Sequence, residues 1–285
     1  MTAFVPVSPD ATSPGSIALI GGGPGDVDLL TLRAVERLRA ADVVLYDDLA
    51  GEEILSFARP DAELIAVGKR AGHPSPRQQE VSRLMIGYAR LGKRVVRVKS
   101  GDPSIFARTD EEIGAARSAG VPIEIVPGVT TATAAAAYLC TSLTKRGVAR
   151  RVQMVTGHDV DGRLPLDLDI AALADPGATT CVFMGKATFA ALAAKLVAYG
   201  LSGETPTVVV ESLGSPSTHV MAGSLTEIQL RLAAEKPPGP CLILYGAALA
   251  GVGHDKAGHL PESDEKLADK KRRQYTGVRV DPDPD

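Results

Sequence analysis

The sequence predicts an α/β protein with a parallel sheet in its first half and a second α/β domain after it. Two observations support this prediction. From Ser16 onward, short apolar runs alternate with stretches of helical periodicity. Polar and glycine-rich segments follow the apolar runs, as they do at the carboxyl ends of parallel strands. Pro127-Gly128 interrupts the alternation, so we predict an N-terminal domain over 16–127 and a C-terminal domain over 128–250.

The first predicted strand, Ile17–Ile20, enters the glycine-rich segment Gly21-Gly-Gly-Pro-Gly-Asp26. The glycines serve either a ligand that approaches the backbone or the packing of the strand on the next helix. Their spacing lacks the third glycine of the dinucleotide fingerprint, and only Asp47 and Asp48 lie near the position of its ribose-binding acid. A nicotinamide cofactor therefore has weak support. Thr31 is the predicted N-cap of the following helix.

The remaining elements follow from the same periodicities. In the first half we predict strands at 43–46, 64–67, 95–98 and 123–126, and helices at 77–91 and 110–118. In the second half we predict helices at 131–138, 189–199 and 225–234, and strands at 152–156, 180–184, 207–211, 218–222 and 241–245. The short loop between 207–211 and 218–222 predicts an antiparallel pair. Residues 1–15 form a predicted disordered arm, and the polar residues 251–285 form a predicted disordered tail.

Composition excludes several classes of protein. A hydrophobic fraction of 45% and a charged fraction of 23% fit a soluble globular chain. A net charge of -3 argues against nucleic acid as a partner. The three cysteines fit neither a disulfide framework nor a zinc site, and the five histidines show no metal-ligand spacing, so we predict no metal. Because signal-peptide and membrane-spanning runs are absent, we expect a cytoplasmic protein without a membrane partner.

Polar and basic side chains collect at the predicted ends of consecutive strands. Asp47, Lys69-Arg70, Lys99–Asp102 and Thr130-Thr131 each follow one strand of the first half. Ligands of open α/β sheets bind at this edge, so the distribution favours a binding site. Four cations of the region match the carboxylates of an anionic substrate: Lys69, Arg70, Arg97 and Lys99. Hydrolase elbows and phosphate-binding loops are absent, so the residues alone define a glycine-lined, partly basic cleft but no reaction.

Ten short motifs follow one another between Ser16 and Ala250. They are Gly21-Gly-Gly-Pro-Gly-Asp26, Leu29-Leu-Thr-Leu32, Ala41-Asp-Val-Val-Leu-Tyr-Asp47, Val67-Gly-Lys-Arg70, Gly72-His-Pro-Ser75, Gly101-Asp-Pro103, Pro127-Gly-Val-Thr130, Leu143-Thr144 with Arg146, Val155-Thr-Gly-His158 and Met184-Gly185. In order and spacing the set resembles the tetrapyrrole methyltransferase family, and within it the uroporphyrinogen-III C-methyltransferases.

The resemblance implies a two-domain fold with the active site in the interdomain cleft, a homodimer, and S-adenosyl-L-methionine as methyl donor with S-adenosyl-L-homocysteine as product. It implies a proton-acceptor role for Asp47 and a proton-donor role for Lys69. It implies cofactor contacts at Pro24, Ser100, Gly101, Asp102, Ile105, Thr130, Thr131, Met184, Leu213 and Cys241. We predict that Arg70, Lys145 and Arg146 bind the tetrapyrrole substrate. The expected reaction methylates uroporphyrinogen III at C2 and C7 and gives precorrin-2 for cobalamin and sirohaem biosynthesis.

Two alternatives stay open. Ser100-Gly-Asp-Pro-Ser104 departs from the Gly-Gly-Asp-Pro of these enzymes and resembles methyltransferases of later corrinoids such as precorrin-4. A non-catalytic tetrapyrrole-binding protein belongs to another class, and the presence of Asp47, Lys69 and Asp102 argues against it. Because no dehydrogenase–chelatase segment precedes Ser16, we expect the methyltransferase alone rather than the bifunctional sirohaem synthase arrangement.

Overall fold

The computed structural model describes residues 15–47, 52–68 and 78–252. The predicted arm and tail lie almost wholly outside the described residues, as do Asp48, Lys69 and Arg70. The chain divides into two units, residues 1–129 and 130–285, and each carries a five-stranded sheet. The predicted strands and helices are confirmed, with bounds that differ by at most two residues.

The sheet of the first unit is parallel throughout, with the strand order β3-β2-β4-β1-β5. Its strands are β1 (Ser16–Gly21), β2 (Val43–Tyr46), β3 (Glu63–Ala66), β4 (Arg94–Lys99) and β5 (Ile123–Val126). Its helices are α1 (Leu32–Ala40), α2 (Glu52–Leu55), α3 (Gln78–Arg90) and α4 (Thr109–Ser118), with a 3-10 turn at Val27–Leu29. Because the strands are parallel, the loops that follow them leave the same edge of the sheet.

Successive side chains of a strand face opposite sides of this sheet and supply two hydrophobic cores. Leu45 and Val95 belong to the core that α3 and α4 cover, and Val44 and Val96 belong to the core that α1 and α2 cover. Helix α1 begins at its predicted cap, since Thr31 Oγ accepts a backbone hydrogen bond of 3.2 Å from the first turn. Both faces of the sheet are therefore covered, and the carboxyl ends of its strands are left to the loops.

The sheet of the second unit is mixed, with the order β6-β7-β10-β8-β9. Its strands are β6 (Arg151–Thr156), β7 (Ala178–Phe183), β8 (Pro206–Glu211), β9 (His219–Ser224) and β10 (Cys241–Tyr245). Its helices are α5 (Thr131–Tyr138), α6 (Ile170–Leu173), α7 (Phe189–Tyr199) and α8 (Leu225–Ala234), with a 3-10 turn at Ala247–Leu249. Strands β6 and β7 are parallel, whereas β8 and β9 form the predicted antiparallel pair.

Strand β10 lies in the middle of the mixed sheet and is covered on both faces. Helices α6, α7 and α8 pack around Val209 and Ile243, and α5 packs on the other face near Leu242. The alanines of α5 allow a close approach to the sheet, and Ala132 and Ala135 are fully buried. Among the helices that the structure describes, none combines the length and the apolar character needed to cross a bilayer.

Candidate functional site

The loops after β1, β4 and β5 meet through glycines. Gly101 N donates to Gly23 O at 2.8 Å, and Gly23 N donates to Gly101 O at 3.2 Å. A Cβ atom at Gly21 would lie 2.5 Å from Cα of Gly128 and 2.6 Å from the carbonyl oxygen of Gly101. These are backbone atoms, so no side-chain rotation relieves the clash. Close packing of the loops, rather than approach of a ligand, therefore accounts for the glycine at position 21.

Asp102 fixes this junction with its carboxylate. Oδ2 accepts a hydrogen bond from Gly128 N at 3.0 Å, and Oδ1 accepts one from Ser104 N at 2.8 Å and another from the Ser104 hydroxyl. Ile105 N donates to the carbonyl oxygen of Asp102 at 3.1 Å. Two of the predicted cofactor residues, Asp102 and Ile105, thus lie at the ends of one hydrogen-bonded turn, which directly follows Ser100 and Gly101. Ser100 is not among the left-handed positions of the described backbone, so its side chain causes no strain there.

Asp47 directly follows β2 and is paired with Arg97 on the neighbouring strand β4. Arg97 Nη2 donates to Asp47 Oδ2 at 3.3 Å, and Arg97 Nη1 donates to the carbonyl oxygen of Val98 at 2.8 Å. The second oxygen, Asp47 Oδ1, is buried and has no hydrogen-bond partner among the described residues. One carboxylate oxygen is therefore held, and the other lacks the donor that a buried acceptor normally has.

Arg97 and Lys99 form a buried ion cluster with Glu112 of α4. Lys99 Nζ donates to Glu112 Oε2 at 2.6 Å, and Arg97 Nε lies 3.7 Å from Glu112 Oε1. Gln78 Nε2 also donates to Oε1, at 2.8 Å. The side chains of Glu112, Lys99 and Arg97 are 0%, 5% and 8% exposed. The prediction that Arg97 and Lys99 bind substrate carboxylates is therefore wrong, because carboxylates of the same unit already balance their charges.

Burial lowers the pKa of Lys99, and the adjacent carboxylate of Glu112 opposes that shift. Glu112 is not among the site residues predicted from the sequence, although its position on α4 indicates a buried charge. Glu112 lies on the face of α4 that also buries Thr109 and Ala116. An acidic side chain on a buried helix face needs a cationic partner, so this position predicts an internal ion pair.

In the second unit, three predicted cofactor residues gather at one end of the mixed sheet. Met184 directly follows β7, Leu213 lies just beyond β8, and Cys241 begins β10. The register of these strands, with Cys241 opposite Glu211, places the three backbone positions at this end. The Cys241 side chain packs on the face covered by α6, α7 and α8, whereas that of Leu213 packs on the face covered by α5. Met184 has a left-handed backbone (φ 54°) and is 41% exposed, so its thioether is available to a ligand.

Thr130 and Thr131 begin α5, which packs against β10. Thr130 is the N-cap residue, yet its hydroxyl does not cap the helix. Its Oγ is buried and has no hydrogen-bond partner within the described ranges. A buried hydroxyl without a partner costs free energy, which a ligand atom bound at Thr130 would recover.

Lys186 secures the loop that leads into β10. Its Nζ donates to the three carbonyl oxygens of residues 237–239 at 3.1, 3.2 and 3.0 Å. Gly239 N donates to Glu211 Oε1 at 2.6 Å. Burial raises the pKa of the Cys241 thiol to about 11. The thiol therefore stays protonated at neutral pH and acts as a packing surface rather than a nucleophile.

Lys145 and Arg146 lie on a turn of the second unit. Backbone hydrogen bonds of 2.9 and 2.8 Å join Lys145 and Ala149, and Gly147 has a φ of 77°. Both cations are exposed. Neither has an ion-pair partner in the part of the chain that the structure describes. These charges are therefore available to an anionic ligand, whereas the predicted Lys69 and Arg70 lie outside the described residues.

Comparison with known proteins identifies a matching family model and several similar proteins. Residues 16–229 match the family model described as Tetrapyrrole (Corrin/Porphyrin) Methylases. The chain is 44% identical over 255 residues to Siroheme synthase 1 of Serratia proteamaculans. The aligned region covers 88% of this chain and 52% of that protein. It is 44% identical over 239 residues to Siroheme synthase of Tolumonas auensis, covering 83% of the chain and 50% of that protein. The chain thus spans about half the length of these curated relatives.

Solved structures show the same fold. A Uroporphyrin-III C-methyl transferase from Thermus thermophilus, complexed with S-adenyl homocysteine, is 36% identical with a TM-score of 0.71. That comparison covers 82% of this chain and 99% of the other. A cobalt precorrin-4 methyltransferase is 29% identical with a TM-score of 0.75, covering 86% and 99% of the two chains.

Proposed function

The chain belongs to the tetrapyrrole (corrin/porphyrin) methylase family, and we propose that it methylates uroporphyrinogen III at C2 and C7 to give precorrin-2. The observation that carries the proposal is Asp47, an acid at the end of β2 with one oxygen held by Arg97 and the other unpaired among the described residues. The identity of 36% to a uroporphyrin-III enzyme, against 29% to a precorrin-4 enzyme, supports this substrate.

Two groups of residues fit S-adenosyl-L-methionine as the methyl donor. In the first unit they are Pro24 and the turn that contains Ser100, Gly101, Asp102 and Ile105. In the second unit they are Thr130, Thr131, Met184, Leu213 and Cys241. The unpaired hydroxyl of Thr130 suits a polar atom of the donor. The exposed Met184 is available to the donor, and the resemblance assigns Leu213 and Cys241 to the side of its adenine ring.

When bound, S-adenosyl-L-methionine supplies a methyl group on a positively charged sulfur. The electron-rich pyrrole carbon forms the new carbon–carbon bond with its π electrons, and the carbon–sulfur bond breaks with its electron pair left on sulfur. The macrocycle then carries a positive charge and loses a proton, which Asp47 accepts. Holding the reactants in line supplies much of the rate, and a positioned base contributes on the order of 10²- to 10⁴-fold.

The polycarboxylate substrate needs local cations, because the chain as a whole has a net charge of -3. Lys145 and Arg146 supply exposed cations that are not paired within the described residues. Arg70 as a further substrate contact and Lys69 as proton donor are proposed from the resemblance alone. We also propose a homodimer, for which light scattering after size exclusion should give twice the mass of the chain.

Incubation with uroporphyrinogen III and S-adenosyl-L-methionine, followed by mass spectrometry of the product, tests the proposal. A gain of two methyl groups is expected, and Asp47→Asn should lower the rate on the order of 10²- to 10⁴-fold. Methylation of precorrin-4 without methylation of uroporphyrinogen III would favour the second function, which the Ser100–Ser104 run and the TM-score of 0.75 support. Binding of either tetrapyrrole without methyl transfer would favour the non-catalytic alternative.

A further inference from the structure

Strands β2 and β4 carry two aspartate–arginine pairs, one at each end. At the amino ends, Asp42 accepts three hydrogen bonds from Arg94: from N at 2.8 Å, and from Nε and Nη2 at 3.1 Å each. At the carboxyl ends, Asp47 accepts one hydrogen bond from Arg97, at 3.3 Å and on Oδ2 alone. The same residue types on the same strands therefore make a complete pair at one end and an incomplete pair at the other.

Glu112 fixes the position of Arg97 in the incomplete pair. The Arg97 side chain is 8% exposed, and its Nε lies 3.7 Å from the fully buried Glu112. Lys99 pairs with the other oxygen of Glu112, so two cations and two carboxylates balance in the cluster. Breaking such a buried pair is costly, which restricts Arg97 to one place. Arg97 can then orient Asp47, whose side chain is 28% exposed.

We propose that Arg97 is a positioning residue for Asp47, holding Oδ2 so that Oδ1 is the oxygen that accepts the proton from the tetrapyrrole. Glu112 in turn fixes Arg97. The inference rests on the proposed function, because it gives Asp47 a proton to accept. Without Arg97 the carboxylate rotates, and a displacement of about 1 Å costs on the order of 100-fold in rate.

A double-mutant cycle of Arg97→Met and Asp47→Asn in the full chain tests this assignment. Arg97→Met should lower kcat on the order of 100-fold. The KM for S-adenosyl-L-methionine and the affinity for S-adenosyl-L-homocysteine should stay within about 2-fold. In the Asp47→Asn background the same substitution should change kcat less than about 3-fold, since no base remains to be positioned. Arg97→Lys keeps the positive charge but lacks the planar guanidinium with its several donors. It should therefore recover part of the kcat that Arg97→Met loses.

Asp42→Asn and Arg94→Met form the matched control cycle at the other end of the same strands, and they should change stability but not kcat. Equal losses from Arg97→Met in both backgrounds would overturn the assignment, and so would a parallel loss of S-adenosyl-L-homocysteine affinity. If the unmodified protein methylates neither uroporphyrinogen III nor a later corrinoid, the proposed function fails and the assignment with it. An active protein with an additive cycle refutes the role of Arg97 alone.

Discussion

Replacing Asp42 by Asn is expected to destabilise the protein in a pH-dependent way. Hydrogen bonds from Arg94 lower the pKa of Asp42 from 3.8 to about 2, and the charges of Arg94 and Arg59 act in the same direction. A shift of this size corresponds to about 2 kcal/mol of stability. Because the folded-state pKa lies below the unfolded-state pKa, the contribution is present above the unfolded value and is lost as the pH falls through about 2.

The stability difference between wild type and Asp42→Asn should therefore shrink by about 1 kcal/mol from pH 7 to pH 3. Urea unfolding at both pH values measures it, with circular dichroism as the signal because the chain contains no tryptophan. Asp61→Asn is the control: Asp61 also pairs with Arg59, at 2.8 Å, but its side chain is 73% exposed. That variant should leave stability unchanged. A difference for Asp42→Asn that is the same at both pH values would refute the reasoning.

Three further substitutions test the loops and the buried cluster. Gly128→Ala should destabilise by about 1–3 kcal/mol in thermal unfolding, because its Cβ would lie 2.3 Å from the carbonyl oxygen of Gly101. Gly87→Ala, with no atom within 4 Å, should be neutral or stabilising, and equal losses would contradict the clash. Glu112→Ala should cost about 3–5 kcal/mol in urea unfolding, since it leaves buried cations unpaired; a loss below about 1 kcal/mol would contradict the buried cluster. Lys186→Met should weaken S-adenosyl-L-homocysteine binding roughly 10-fold in calorimetry by releasing the loop at 237–239. The exposed Lys195→Met should not, and equal affinities of the two variants would contradict the role of Lys186.

The sequence predicts the elements of the fold better than the partners of individual side chains. Most strands are predictable because they are short runs rich in apolar residues, and the pairing of β8 with β9 is predictable because a short loop joins them. Helices α2 and α6 have four residues each, too few for a helical period to appear, and they were not predicted. The sequence favours a substrate as the partner of Arg97 and Lys99 because their actual partner, Glu112, lies on another element. Only the packing of α4 on the sheet brings that partner to them.

Buried polar atoms without a hydrogen-bond partner lower the stability of the folded protein, and two of them belong to predicted site residues. The described residues contain four such side-chain atoms: Asp47 Oδ1, Arg97 Nε, Thr130 Oγ and Thr179 Oγ. Asp47 and Thr130 are predicted site residues, whereas Thr179 lies within β7 and is not one of them. Thr130→Val removes an unsatisfied hydroxyl and should therefore raise the stability of the ligand-free protein by about 1 kcal/mol.

The same substitution should weaken S-adenosyl-L-homocysteine binding by about 1 kcal/mol, or roughly 5-fold, because a hydrogen bond to the ligand is lost. Thr179→Val should bring the gain in stability without the loss in affinity, since it removes an equally unpaired hydroxyl inside a strand. Thermal unfolding and calorimetry with and without the ligand measure both effects. If Thr130→Val and Thr179→Val change the affinity equally, the hydroxyl of Thr130 is not a ligand contact. If they differ only in affinity, the unpaired oxygen is maintained for binding at a cost in stability.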